Sequence, residues 1–103
     1  MPSKSVISDK YECYFCGCQY QLEHHHCIKG NANRKLADED GLWVWLCRKH
    51  HEVLHGKNGH DMDEALKKLA EWCWLERNGY IEEGTPTDDG IRAWIHRYGK
   101  NWV

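Results

Sequence analysis

Apolar positions recur most regularly between Asp63 and Arg77, where Leu66, Leu69, Ala70 and Cys73 stand at i, i+3, i+4 and i+7. That spacing places all four on one face of a helix. Asp61 or Asp63 can cap its start, and Asn78-Gly79 can end it. After the polar linker "IEEGTPTDDG", residues Ile91, Trp94, Ile95 and Tyr98 repeat the spacing up to Gly99. Upstream the pattern changes. "QYQLEHHH", ending at His26, and "GLWVWLC", ending at Cys47, have the aromatic and β-branched character of strands. The polar stretch between them, "KGNANRKLADEDG", reads as a loop broken by Gly30, Asn31 and Asn33. "RKHHEVLH" then reads as a short helix stopped by Gly56 and Gly59, and "CYFCGC" as a tight turn around Gly17.

The expected class is therefore α+β in a single domain. A polar arm covers residues 1–12, a cysteine turn and hairpin core residues 13–60, and a helical extension packed on that core residues 61–103. No internal repeat or low-complexity tract interrupts this order.

Composition narrows the picture. A chain of 103 residues is near the size at which a hydrophobic core gives only modest stability. Six Trp, five Tyr, six Cys and eight His argue against disorder and for a small core reinforced by metal. Residues 1–13 contain no apolar run of the signal-peptide kind, and no stretch approaches the roughly 20 apolar residues that span a bilayer. A cytoplasmic location follows as the expectation, and there cysteines mean metal sooner than disulfides. The net charge of −2 does not advertise nucleic acid. Its distribution is uneven, however. Basic residues flank the histidines (Lys29, Arg34, Lys35, Arg48, Lys49, Lys57), while acid is in excess over residues 61–103. A locally basic site of this kind can bind phosphates.

Two ligand pairs bracket the expected hairpin: Cys13 and Cys16 in "CYFC", and Cys47 and His50 in "CRKH". Each supplies two donors from one tight turn, and together they make the tetrahedral set of a structural Zn²⁺. Cys18 is the alternative partner of Cys16, although two intervening residues is the usual spacing. Cys27 and Cys73 read as core thiols.

His51 and His55 are four apart, so on a helix they share a face and can chelate one ion. His50 points about 100° away and can serve the zinc instead. The hairpin returns the "HHH" run, His24 to His26, alongside that helix, and Glu23 can orient one of the imidazoles. Neighbours on a regular strand face opposite ways, so His25 and His26 converge only where the strand ends or bulges, as Gly30 would allow. The pairing of His24 with His26 obeys the alternation. His60 and His96 read as solvated surface groups.

At these residues, "LEHHHCIKG", "LWVWLC" and "CRKHHEVLHGK", the chain resembles HNH endonucleases of the ββα-metal, treble-clef class. The likeness is nearest to small phage HNH proteins of the recombination-enhancement kind, and with "WIHRYGKNW" it extends over about residues 13–103. "HHEVLHGK" is also similar to the metal helix of colicin DNases. The resemblance implies His26 as general base, with His25, His51 and His55 as ligands of a catalytic divalent ion. One departure stands out: Leu42 occupies the place of the family's Asn, which ties the loop together.

The chemistry suits the residue types. Phosphodiester hydrolysis needs a base of near-neutral pKa and a Lewis acid at the phosphate. Three imidazoles favour Zn²⁺, Ni²⁺ or Co²⁺ by softness, and Mg²⁺ or Mn²⁺ would serve by availability. Lys29, Arg34, Lys35 and Lys57 would hold DNA through its phosphates without reading bases. The competing expectation is a non-catalytic treble-clef zinc module that binds DNA or protein. Trp72, Trp74, Trp94 and Trp102 suit a core, yet six Trp in so short a chain leave a homodimer or a phage recombination partner open.

Overall fold

Two short strands, β1 (Leu22–His26) and β2 (Trp43–Cys47), pair antiparallel with Leu22 opposite Cys47 and His26 opposite Trp43. Around this pair a computed structural model describes residues 4–103. β2 is the inner strand: Val44 and Leu46 are buried with Leu42 just before them. β1 buries His25 and leaves Glu23 exposed.

The stretch between the strands is not a loop. It forms helix α1 (Asn31–Asp40), joined to β1 by Cys27 and Ile28, both wholly buried. Breaker residues at its start hid a one-sided pattern: Asn33, Leu36, Ala37 and Asp40 lie at i, i+3, i+4 and i+7, and all are at least half-buried. Gly41, at φ 71°, ends α1 in the left-handed region, and Leu42 N–H donates to the Ala37 carbonyl at 2.8 Å. A Cβ at Gly41 would fall 2.2 Å from the Lys4 carbonyl oxygen, because the N-terminal arm crosses there. That arm is docked rather than free. Val6 N–H donates to the Gly41 carbonyl, Ser5 Oγ to the Trp43 carbonyl, and Val6 and Ile7 pack on the core. Residues 1–3 of the expected arm lie outside the described residues.

β2 runs directly into α2 (Arg48–His55), with Cys47 as both last strand residue and helix cap. Helix α3 (His60–Arg77) starts three residues earlier than its apolar pattern. Its cap is Gly59, which packs against the Leu54 carbonyl too closely for any Cβ. Asp61 and Asp63 therefore do not cap α3. They occupy its first turn, where their charge favours the helix dipole, and Asp63 is buried against Lys67 at 2.8 Å. Asn78 and Gly79 end the helix as expected.

The linker is also more ordered than its composition suggests. It holds a small hairpin, β3 (Ile81–Glu82) with β4 (Thr85–Pro86). Its "DDG" end already belongs to α4 (Asp88–Tyr98), capped by Thr87 Oγ1, which accepts from Gly90 N–H at 3.0 Å. The buried face of α4 runs through Gly90, Trp94 and Tyr98, whereas Ile95 is exposed. Asp40 ties this helix to α1, accepting from Arg97 Nε at 2.6 Å and Nη2 at 2.9 Å and from the Tyr98 hydroxyl.

The result is a small α+β fold of four helices and two two-stranded sheets among the described residues. Trp94 is fully buried and Trp74 packs edge-on to it, so the C-terminal aromatics close the core. No described helix is long and apolar enough to cross a membrane.

Candidate metal centres

The first centre assembles where the N-terminal turn meets the β2–α2 junction. Gly17 N–H donates to the Cys13 carbonyl at 2.8 Å, which closes the turn, and Tyr14 N–H donates to the Trp45 carbonyl at 2.9 Å, which pins it to β2. Cys13, Cys16, Cys47 and His50 then converge. Cys16 and Cys47 sulfurs are 3.8 Å apart, and His50 Nδ1 lies 3.7 Å from Cys13 Sγ and 3.2 Å from Cys47 Sγ. Around a tetrahedral Zn²⁺, two thiolates stand about 3.8 Å apart and a thiolate and imidazole about 3.5 Å. The set therefore has the dimensions to hold a structural metal such as zinc.

Its electrostatics agree with the dimensions. Burial pushes Cys13 up, but hydrogen bonds from the backbones of Cys47, Cys16 and Phe15 outweigh it and hold the thiol below its ordinary value. At Cys16 a hydrogen bond from Cys18 lowers the pKa, and burial with the neighbouring thiols Cys13 and Cys47 reverses that to a net rise. Thiols this close oppose one another's ionisation unless a cation joins them. Cys18 stays outside, with its sulfur accepting from Tyr20 N–H at 3.4 Å. Of the two expected core thiols, Cys27 is wholly buried and Cys73 only half-buried.

The second centre lies between β1 and α2. His25 reaches His51 and His55, with ring centroids 5.3 and 5.8 Å away, and those two are 4.7 Å from each other. The three ligand nitrogens fall within 4.8 Å of one another. His25 Nε2 is buried with no hydrogen-bond partner among the described residues, an orphan that an ion would satisfy. Burial first, then His51 and His55, depresses His25 to about 4 and keeps the ring neutral, as a ligand must be. Burial and His51 also lower His55. Glu23 Oε1 accepts from His51 Nδ1 at 2.9 Å and so fixes that ring.

β1 remains a regular strand through His26, so the alternation holds and no bulge brings His26 round to His25. His26 instead shares a face with His24, ring centroids 4.8 Å apart, and its Nε2 lies 2.8 Å from Asp38 Oδ1 on α1. Asp38 is the residue that sequence reasoning missed, because its helix read as a loop. The i, i+4 spacing of Arg34 and Asp38 was the available signal.

Both faces nonetheless open on one cavity of about 490 Å³ at the end of the strand. His24, His25 and His26 line it, opposite His51 and His55. Lys29 and Arg34 supply its positive rim, with Lys29 Nζ 3.6 Å from Asp63. Lys35 and Lys57 are exposed and do not line it. His60 and His96 are exposed on their helices. No family model, curated protein or solved structure matches the chain.

Proposed function

We propose that this chain is a metal-dependent DNA endonuclease of the HNH, ββα-metal type, with the Cys₃His set as its treble-clef zinc. The observation that carries this reading is the meeting of five histidines, three of them grouped to hold one ion, and two basic residues on one cavity. His25, His51 and His55 would hold a divalent ion, Zn²⁺ or Ni²⁺ by donor softness and Mg²⁺ or Mn²⁺ by availability. That ion supplies Lewis acidity at the phosphate and at the leaving 3′-oxygen.

His26 acts as general base. Its Nε2 is engaged by Asp38, which leaves Nδ1 to accept a proton from the attacking water. Asp38 also stabilises the imidazolium that forms. Arg34 and Lys29 bind the phosphates flanking the cleaved bond, without base readout. The missing family Asn is answered by backbone: Cys27 N–H donates to the Leu42 carbonyl at 3.1 Å and ties the end of β1 to the start of β2. Leu42 itself is free to fill the core.

Plasmid cleavage across Mg²⁺, Mn²⁺, Ni²⁺ and Zn²⁺ tests the reading. Wild type nicks or cuts, and His26→Ala abolishes cleavage while keeping the fold and the metal at the Cys₃His and His25/His51/His55 sets. Unchanged nicking by His26→Ala defeats the assignment of the base. One tightly bound zinc with no cleavage under any ion would make the chain a non-catalytic zinc module instead.

A further inference from the structure

His24 and His26 stand two apart on β1, so their side chains leave the same face of the strand, opposite that of His25. Asp38 comes up to both from α1. Its Oδ1 is 3.3 Å from His24 Nε2 and 2.8 Å from His26 Nε2, and the three candidate ligand atoms lie within 4.8 Å of one another. Nitrogen and oxygen donors about 2.0–2.1 Å from a tetrahedral ion are about 3.3 Å apart. The His24–Asp38 pair already has that separation, and the His26–Asp38 contact would open by roughly half an ångström.

The second observation is an orphan. His24 Nε2 is enclosed, yet it makes no hydrogen bond among the described residues, although the carboxylate oxygen is near. Its ring is packed against Trp43, centroids 4.2 Å apart, which limits how far the imidazole can turn. An enclosed nitrogen that faces a carboxylate at 3.3 Å without a hydrogen bond of good geometry is poorly satisfied, and a cation between it and Asp38 would satisfy both.

We propose that His24, His26 and Asp38 form a further binding site for a borderline divalent cation, Zn²⁺ foremost, distinct from the Cys₃His and His25/His51/His55 sets. Two imidazoles and a carboxylate are a zinc donor set, and three protein ligands leave a fourth position open to water. Occupancy has a consequence that rests on the nuclease reading. A neutral imidazole bound through Nε2 carries its proton on Nδ1, so His26 then has no lone pair with which to take a proton from water. The same ion also removes Asp38 from its orienting role. Excess zinc therefore switches cleavage off.

Equilibrium dialysis of the full chain against micromolar free Zn²⁺, read by metal analysis, separates these statements. Wild type binds three equivalents. His24→Ala and Asp38→Asn each bind two, and His51→Ala also binds two by emptying the other histidine set. Circular dichroism and the two retained equivalents show that each variant is folded. A wild type that stops at two equivalents with His24→Ala also at two and His51→Ala at one, or His24→Ala and Asp38→Asn that still bind three, overturns the site and leaves the nuclease reading standing. Cleavage is then followed as the third equivalent fills, each protein normalised to its own activity before that point. Suppression in wild type and its absence in His24→Ala support the switch, and cleavage undiminished in wild type overturns it. A third equivalent without cleavage under any ion keeps the site and defeats the nuclease.

Discussion

Glu23 Oε1 lies 2.9 Å from His51 Nδ1, a bond between an exposed strand carboxylate and a helix imidazole 28 residues away. It engages one ring nitrogen and thereby leaves Nε2 free for an ion that His25, His51 and His55 could hold. Carboxylates in this position orient the imidazole and raise its basicity as a ligand.

Glu23→Gln should therefore weaken divalent-ion binding at the histidine set by about 10–100-fold while the Cys₃His equivalent stays in place. Isothermal titration with Ni²⁺ of protein holding a single zinc equivalent, in the Cys₃His set, measures this. Wild-type affinity in the variant would mean that packing alone holds the His51 ring.

Folding should require a metal at the Cys₃His set, which has the geometry to hold one. Cys13 and Cys47 are buried where the N-terminal turn meets the β2–α2 junction, and the described core is small. Cys47→Ser, or a strong chelator, should abolish the cooperative thermal transition seen by circular dichroism. Cys18→Ser should keep both the zinc and the transition, whereas Cys16→Ser should lose them. The reverse result would exchange the two cysteines in the ligand set.

Acid should act through His25. Its pKa is depressed from the ordinary value of 6.5 to about 4, so the folded chain resists a proton that the unfolded chain accepts. Stability from this residue is complete above about pH 6.5 and is lost as pH falls from there towards about 4. The slope is at most about 1.4 kcal/mol per pH unit. His25→Asn removes the titrating group, so the difference between wild-type and variant urea midpoints should change across that window. A constant offset would place the acid sensitivity elsewhere.

Gly41→Ala tests how α1 and the arm are joined. The new methyl group would meet the Lys4 carbonyl, and the residue would still have to sit at φ 71°. A loss of more than about 1 kcal/mol in urea unfolding is expected. Deleting residues 1–8 in the alanine variant should relieve the clash but not the dihedral strain.

Much of the fold could be read from side-chain chemistry with local periodicity. The Cys13/Cys16 and Cys47/His50 pairs have fixed short spacings, β2 is continuously apolar, and α2 carries His51 and His55 one turn apart, so each follows from neighbours in sequence. The loop expected between the strands failed for a reason of the same kind. α1 buries few apolar side chains, and its polar residues satisfy themselves through partners far along the chain. Asp40, for example, is matched by Arg97 and Tyr98 of α4.

The sequence by itself determined the donor inventory: a Cys₃His set, a His-x₃-His helix pair and a strand of three histidines. Only the tertiary structure decided how that strand was divided. Because β1 stays regular up to His26, its pleat sends His25 to α2 and His24 with His26 to α1. Asp38 enters the site because α1 folds back along β1, a contact that no local pattern encodes.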